Sequence, residues 1–262
     1  MMYFRKWSLP AAVTVLGGCI LAAQSPSTVP PGQPANRIQD GGGGGLLIDS
    51  LFIPPIAREP FDLTLATEWV RLLANQGTLT LVNERRIVRD SRGRIYQERW
   101  LLVPKGSSVK STMDRFQITD PDQQTWYNCH TATKVCDLFV YSLKTTDRYG
   151  AAVTASGPLP NGIGYRQTDD LGIQTVAGMD AHGYRETTTI NPGVMGNDKQ
   201  MLGIREFWYS DQLGISLRSV LDTPQTGRQV FTVKEITTSE PEPSFFAVPA
   251  DYKVIDRRND PE

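Results

Sequence analysis

The chain has 262 residues, with 27 Lys and Arg against 28 Asp and Glu, so its formal net charge is −1. Balanced charge without a basic stripe excludes the electrostatic footprint of a nucleic-acid binder. Two histidines and three cysteines, with no His-x-x-x-His or Cys-x-x-Cys spacing, give no metal-site pattern and imply no cofactor.

Arg5 and Lys6 precede an apolar run from Trp7 to Leu16. This is the layout of an export signal, too short to span a bilayer as a helix. Two cleavage readings stay open. Leu21-Ala22-Ala23 ends an ordinary signal peptide, residues 1–23, and apolar Ile20-Leu21 favours it. Leu16-Gly17-Gly18-Cys19 resembles a lipobox, which ends the signal at residue 18 and makes Cys19 the lipidation site. Either places the chain in the periplasm or tethered to the outer membrane, an oxidising space. Membrane contact is then expected only through a lipid anchor.

Residues 24–45 are rich in Pro, Ser, Gln and Gly and read as a tether that buries too little apolar surface to order itself. Gly41 to Gly45 is no phosphate loop, because no Lys-Ser/Thr follows. Residues 46–59 form a docking segment. Leu46, Leu47, Ile48, Leu51 and Phe52 fit one face of a short helix that Pro54-Pro55 stops. It is expected to dock on the domain, or to occupy a concave ligand surface until displaced.

Residues 60–255 are expected to form a single antiparallel β domain. Leu63, Leu65, Trp69 and Leu73 alternate with Thr64, Ala66 and Glu68, the period of a half-buried strand. Strands follow at Thr78 to Arg89, Arg94 to Val103 and Met113 to Thr119, with turns at Asn75-Gln76-Gly77 and Asp90 to Gly93. Thr125 to His130 and Lys134 to Tyr141 form a hairpin in which Cys129 faces Cys136. A cross-strand disulfide is geometrically reasonable there and adds about 2–3 kcal/mol on the chain-entropy estimate. The alternative is two unrelated buried thiols. Lys144 to Asp170 is Gly-, Pro- and Asn-rich and reads as a loop insertion. Strands resume at Leu171 to Val176, with a turn at Gly178 to Gly183, then at Tyr184 to Ile190, Gln200 to Tyr209, Ile215 to Leu221 and Arg228 to Thr238. Phe245 and Phe246 pin the C-terminal tail onto the sheet, and residues 256–262 are a polar end. The fold class is mainly β: a large curled antiparallel sheet of about eleven strands, an open half-barrel, with one or two short helices.

No catalytic residue is singled out. His130 and His182 read as polar turn residues, and Ser210 as a turn former without a nucleophile elbow. Glu84 and Glu98 are candidates for a facing carboxylate pair, but Arg85, Arg86 and Arg99 nearby favour an ion-pair ladder. Trp69, Trp100, Trp126, Tyr127, Phe207 and Trp208 are the candidate ligand-binding residues, against the simpler reading of aromatic core.

The second half has a cadence: Gly178-x-x-Ala181-x-Gly183-x-Arg185-x-Thr187-Thr188-Thr189, then Glu206-x-Trp208-Tyr209-Ser210, then Pro243-Ser244-x-Phe246-x-Val248-Pro249. It resembles a group of uncharacterised exported β-rich bacterial proteins. More distantly it is similar to the periplasmic lipoprotein-carrier superfamily, LolA-like with LppX- and RseB-like relatives. The likeness covers Pro60 to Val254. It implies an open barrel around short helices, with a concave apolar face that receives acyl chains in characterised members. The long N-terminal helix of the carriers and a counterpart to Lys144–Asp170 are missing, so no carrier residue transfers by position. The expected function is a non-enzymatic cell-envelope protein holding a lipid or acyl chain. The alternative is a protein-interaction or stress-sensing module with an envelope protein partner, and a hydrolase is the third reading.

Overall fold

The structure, a computed structural model, describes residues 51–141 and 153–259. The expected signal segment with Cys19, the tether, residues 46–50 of the docking segment, residues 144–152 of the loop insertion and residues 260–262 of the polar end lie outside them.

Fourteen strands form one open, curled, mainly antiparallel sheet. In chain order they are β1 (Phe61–Leu72), β2 (Thr78–Arg89), β3 (Ile95–Trp100), β4 (Val103–Pro104), β5 (Met113–Asp120), β6 (Thr125–His130) and β7 (Val135–Val140). There follow β8 (Gly157–Pro158), β9 (Gly164–Val176), β10 (Met179–Ile190), β11 (Met201–Ser210), β12 (Ile215–Thr223), β13 (Gly227–Thr237) and β14 (Lys253–Asp256). Across the sheet the order is β14-β7-β6-β5-β3-β2-β1-β13-β12-β11-β10-β9-β8, with β4 beside β2. Two meanders therefore meet at a seam where β1 pairs with β13. Only β14, added to β7, runs parallel to its neighbour.

The period of two in β1 sets the faces. Phe61, Leu63, Leu65 and Trp69 are buried on a first face, where Leu63 stands opposite Ile87. They pack with Ile95, Leu213, Ile215, Leu217, Phe231 and Val233, and with Leu51 and Ile53 of the docking segment. Residues 51 and 52 are not helical, which corrects the expected helix in this part. Pro54-Pro55 follows so closely that the segment stays extended, inserting Leu51 and Ile53 into the core and leaving Phe52 exposed between them.

Arg89, fully buried, ties this corner together. Its Nη2 donates to the carbonyls of Leu213 at 2.6 Å and Glu59 at 2.9 Å, and its Nη1 to that of Pro54 at 3.5 Å. The guanidinium lies 4.7 Å over the Phe61 ring. Burial, with Arg58 nearby, lowers it to about 10.

The second face carries a smaller core, Phe116, Ile118, Cys129 and Cys136, under the C-terminal strap. The cysteines are opposed and disulfide-bonded, as the hairpin spacing predicts. The strap enters as a 3-10 turn, Pro243–Phe246, and cations on the sheet hold its rings. Arg86 lies 4.4 Å over Phe245, Arg94 4.5 Å over Phe246 and Lys134 4.5 Å over Tyr252. The aromatic tail thus pins the C-terminus as expected.

Several expected boundaries move. Gly164–Asp170, read as loop, opens β9, and the turn read at 178–183 shrinks to Ala177-Gly178, so His182 is a strand residue. β9 lies next to the sheet edge and is wet on both sides, so hydrogen bonding to β10 rather than apolar patterning defines it. Gly164 is required there, because a Cβ would collide with the Thr189 carbonyl. The short strands β4, β8 and β14 raise the count above eleven.

Replacing both Cys129 and Cys136 with Ser is expected to lower unfolding stability by about 2–3 kcal/mol, read from urea denaturation. Burial under the strap, reinforced by Glu98, raises the Tyr96 phenol above its ordinary 10.0. The folded state then keeps a proton that the unfolded state loses, so stability falls as pH rises beyond 10. Phenolate absorbance should show Tyr96 resisting ionisation in the whole chain and titrating normally in a chain truncated after Glu242.

Candidate functional site

The register assigns the first face row by row. One row runs Tyr184–Phe207–Ser219–Phe231–Thr67–Asn83, and the next Glu186–Arg205–Leu221–Gln229–Trp69–Leu81. Beyond β2 the face turns polar: Ile87 is followed by Gln97, Gln117, Asn128 and Asp137. Arg85, Arg99, Gln97, Gln117, Thr67, Asn83 and Gln229 are all buried. Arg99 Nε donates to Gln117 Oε1 at 3.0 Å, and Asn83 Nδ2 to the Trp100 carbonyl at 2.7 Å. Asn83 Oδ1, Thr67 Oγ1 and Gln229 Oε1, on adjacent strands, are buried without a partner among the described residues. Each such atom costs about 1–3 kcal/mol unless a donor reaches it. The face is therefore amphipathic: apolar from β1 to β12, hydrogen-bonding from Gln229 across to β6.

Two cavities flank the β12–β13 turn. One of about 310 Å³ is walled by Ile190, Met201, Leu221 and Pro224, with Arg166, Arg205 and Glu186 at its polar side. Arg205 Nη1 and Glu186 Oε2 are 3.0 Å apart, and Glu186 Oε1 also accepts from the Thr154 N–H at 3.0 Å. Arg166 Nε is buried without a partner among the described residues. The other cavity, about 620 Å³, is bounded by Val70, Leu72, Leu202 and Thr223 to Arg228.

The six aromatic candidates do not converge. Trp69, Trp126 and Phe207 lie on the first face, Trp100 and Tyr127 on the second. Trp69 and Trp208 belong to the main core, and Trp208 crosses Gly183, where a Cβ would strike its ring. Trp126 stacks near Phe139 at 5.2 Å, Phe207 near Tyr184 at 5.6 Å, and Trp100 Nε1 donates to Glu98 at 2.7 Å. None of the six lines either cavity. The residues that do, such as Leu72, Met201 and Leu202, are ordinary strand-end aliphatics, and no sequence motif marks them.

Glu84 and Glu98 do not face each other. Glu84 is exposed opposite Ala66, and Glu98 accepts from the Arg86 backbone N–H at 3.1 Å. The expected ladder is also rearranged: Arg86 pairs with Asp62 across β1 and β2, while Arg85 and Arg99 turn to the first face. His182 lies 2.7 Å from Asp170 and 3.2 Å from the Tyr184 hydroxyl, stacked on its ring at 4.5 Å. The Gly172 N–H and His182 hold the Asp170 carboxyl below the usual carboxylate range. Seven strands separate His182 from His130, and Ser210 ends β11, its carbonyl closing the turn to Gly214. Among the described residues no cluster of metal ligands occurs, and no helix is long and apolar enough to cross a membrane.

Gln229→Met removes a buried acceptor while keeping volume. It is expected to raise stability by about 1 kcal/mol in calorimetry of the purified protein.

No family model and no curated protein matches the chain. Among solved structures it is similar to an uncharacterised conserved protein from Thermus thermophilus, at 12% identity and TM-score 0.40, covering 78% of this chain and 93% of that one. It is also similar to MucB of Pseudomonas aeruginosa in its complex with MucA, at 13% identity and TM-score 0.38, covering 75% and 58%. A third is the Mycobacterium tuberculosis lipoprotein LppX, at 13% identity and TM-score 0.22, covering 68% and 89%. The chain spans little more than half of the MucB chains. LppX stands among the relatives that the sequence resemblance names, and MucB is RseB-like, another of them.

Proposed function

We propose that the protein is a non-enzymatic component of the bacterial cell envelope, periplasmic or tethered to the outer membrane, that holds an amphiphilic lipid or acyl chain. The carrying observation is the 310 Å³ cavity, with apolar walls from Ile190, Met201 and Leu221 and a polar side made of Arg166 and the Arg205–Glu186 pair. Its volume lies at the lower end of small-molecule sites, which combine apolar walls with a few placed polar groups. Burial at about 0.8 kcal/mol per methylene drives binding, and the Arg166 guanidinium, beside the Arg205–Glu186 pair, suits a carboxylate or phosphate end. The aromatics Trp69 and Phe207 support the wall from the neighbouring core rather than touching the cavity.

A second reading, recognition of an envelope protein by strand addition, is favoured by β9. Beyond its short pairing with β8, residues 167–176 have no outer strand among the described residues. Gly172, at a bulge between β9 and β10, and the acidic pair Asp169-Asp170 interrupt that edge.

Native mass spectrometry of protein purified gently from the envelope tests the leading reading. A discrete added mass, removed by organic extraction and identified as lipid, is expected. Gly203 borders the cavity, and a Cβ there meets only the Thr223 methyl, at 3.7 Å. Gly203→Leu should therefore fold normally and retain at least about tenfold less lipid, since a leucine fills the space of several methylenes. Equal lipid in wild type and variant would sink the assignment to this cavity.

A further inference from the structure

One rim of the sheet differs from the other. Antiparallel alternation brings the β1–β2 turn, the β10–β11 loop and the β12–β13 turn to the same rim. The segment around β4 joins them, because β4 pairs with Leu81 and Val82 and the Lys105 N–H donates to the Thr80 carbonyl.

Large apolar side chains stand in water along this rim. Leu72 is 75% exposed, Met195 64%, Val109 59% and Leu202 53%, with Leu73, Leu101 and Val194 beside them. The turns of the opposite rim, at 90–94, 120–124, 177–180, 211–214 and 238–242, carry none among the described residues. Isolated exposed leucines are ordinary, but several gathered at the strand ends and turns of one rim mark an interaction surface.

Charge divides the same way. The segments 71–78, 101–112, 191–201 and 222–228 hold Arg71, Lys105, Lys110, Lys199 and Arg228 against Asp198 and Asp222. The opposite turns hold Asp90, Asp120, Asp122, Asp180, Asp211, Glu240 and Glu242 against Arg92 and Arg94. A nearly neutral chain is thus polarised along its strands. Apolar tips ringed by lysine and arginine complement an anionic bilayer: the tips enter the headgroup boundary and the cations meet the phosphates. The two cavities border this rim through Leu202 and residues 223–225.

We propose that this rim, built on Leu72, Leu202, Met195, Lys110 and Lys199, docks the protein onto an anionic phospholipid surface. The proposal deepens the lipid-binding reading and rests on it for purpose, because docking there sets the cavities against the membrane.

The test is sedimentation of the full chain with vesicles, either pure phosphatidylcholine or phosphatidylcholine with about 30% phosphatidylglycerol, a strongly anionic surface. Wild type should bind the anionic vesicles more tightly than the neutral ones. Each lysine near such a surface is worth about a fivefold change in partitioning, so Lys110→Gln with Lys199→Gln should weaken anionic binding about 25-fold and leave neutral binding unchanged. Leu72→Ser with Leu202→Ser should weaken both at least about tenfold. Ile173→Ser, at a site 74% exposed away from the rim, should change nothing. All variants share the same N-terminal residues, so differences between them report the rim.

Rim variants that bind like wild type, or an equal loss in Ile173→Ser, would overturn the proposal. So would a wild type that ignores vesicles yet is captured by an envelope protein through the same leucines. Lipid retained in the native mass spectrum by a chain that fails to sediment would sink the docking surface and spare the cavity. Sedimentation without any retained lipid would do the reverse.

Discussion

The buried guanidinium of Arg89 is the contact on which the architecture turns. β2 and the β11–β12 turn are separated by β1, β13 and β12. On a flat sheet that distance is about 14 Å, three strand spacings, further than one arginine reaches. Arg89 nonetheless meets the Leu213 carbonyl, so this corner is folded over the first face. The same side chain satisfies the carbonyls of Pro54 and Glu59, in a segment with no strand to satisfy them. A charge so enclosed is tolerated because carbonyl dipoles and an aromatic face surround it. Removing it would leave three acceptors unmet, a heavier loss than any apolar truncation nearby.

From that corner the first face grades from hydrocarbon to hydrogen bonds. The aliphatics of β1, β12 and β13 form the dry part, while Asn83, Thr67 and Gln229 begin a polar band that continues to Asn128 on β6. The second face needs no such compromise: the disulfide, Phe116 and the strap rings close it.

Much of the fold is legible in the sequence, because burial on one side leaves a period of two in β1 and across the cysteine hairpin. The aromatic tail is legible for a similar reason, since paired rings near a chain end must find cover. The first half of β9 is not, because Gln167 to Asp170 is held by hydrogen bonds that any sequence can make, whereas Leu171 to Val176 reads as strand. The candidate site is less legible still. Arg85 and Arg99 read as surface charges and are buried, whereas Leu73 reads as core and is exposed. Strand ends lack the long periodic context that separates a buried leucine from an exposed one. The cavity walls come from β10, β11 and β12, whose adjacency depends on pairing rather than on composition.

The seam between the two meanders sets an order on assembly. Asp62, the second residue of β1, pairs with Thr237 at the end of β13, so the sheet joins its first strand to nearly its last. Each meander is built of sequential hairpins and forms locally and fast, but the seam has high contact order. Until β13 is present, β1 is an open edge able to pair with the wrong partner. The arrangement makes biogenesis, more than final stability, the stage at which this protein is most exposed to aggregation, and the stage at which a holding chaperone would matter.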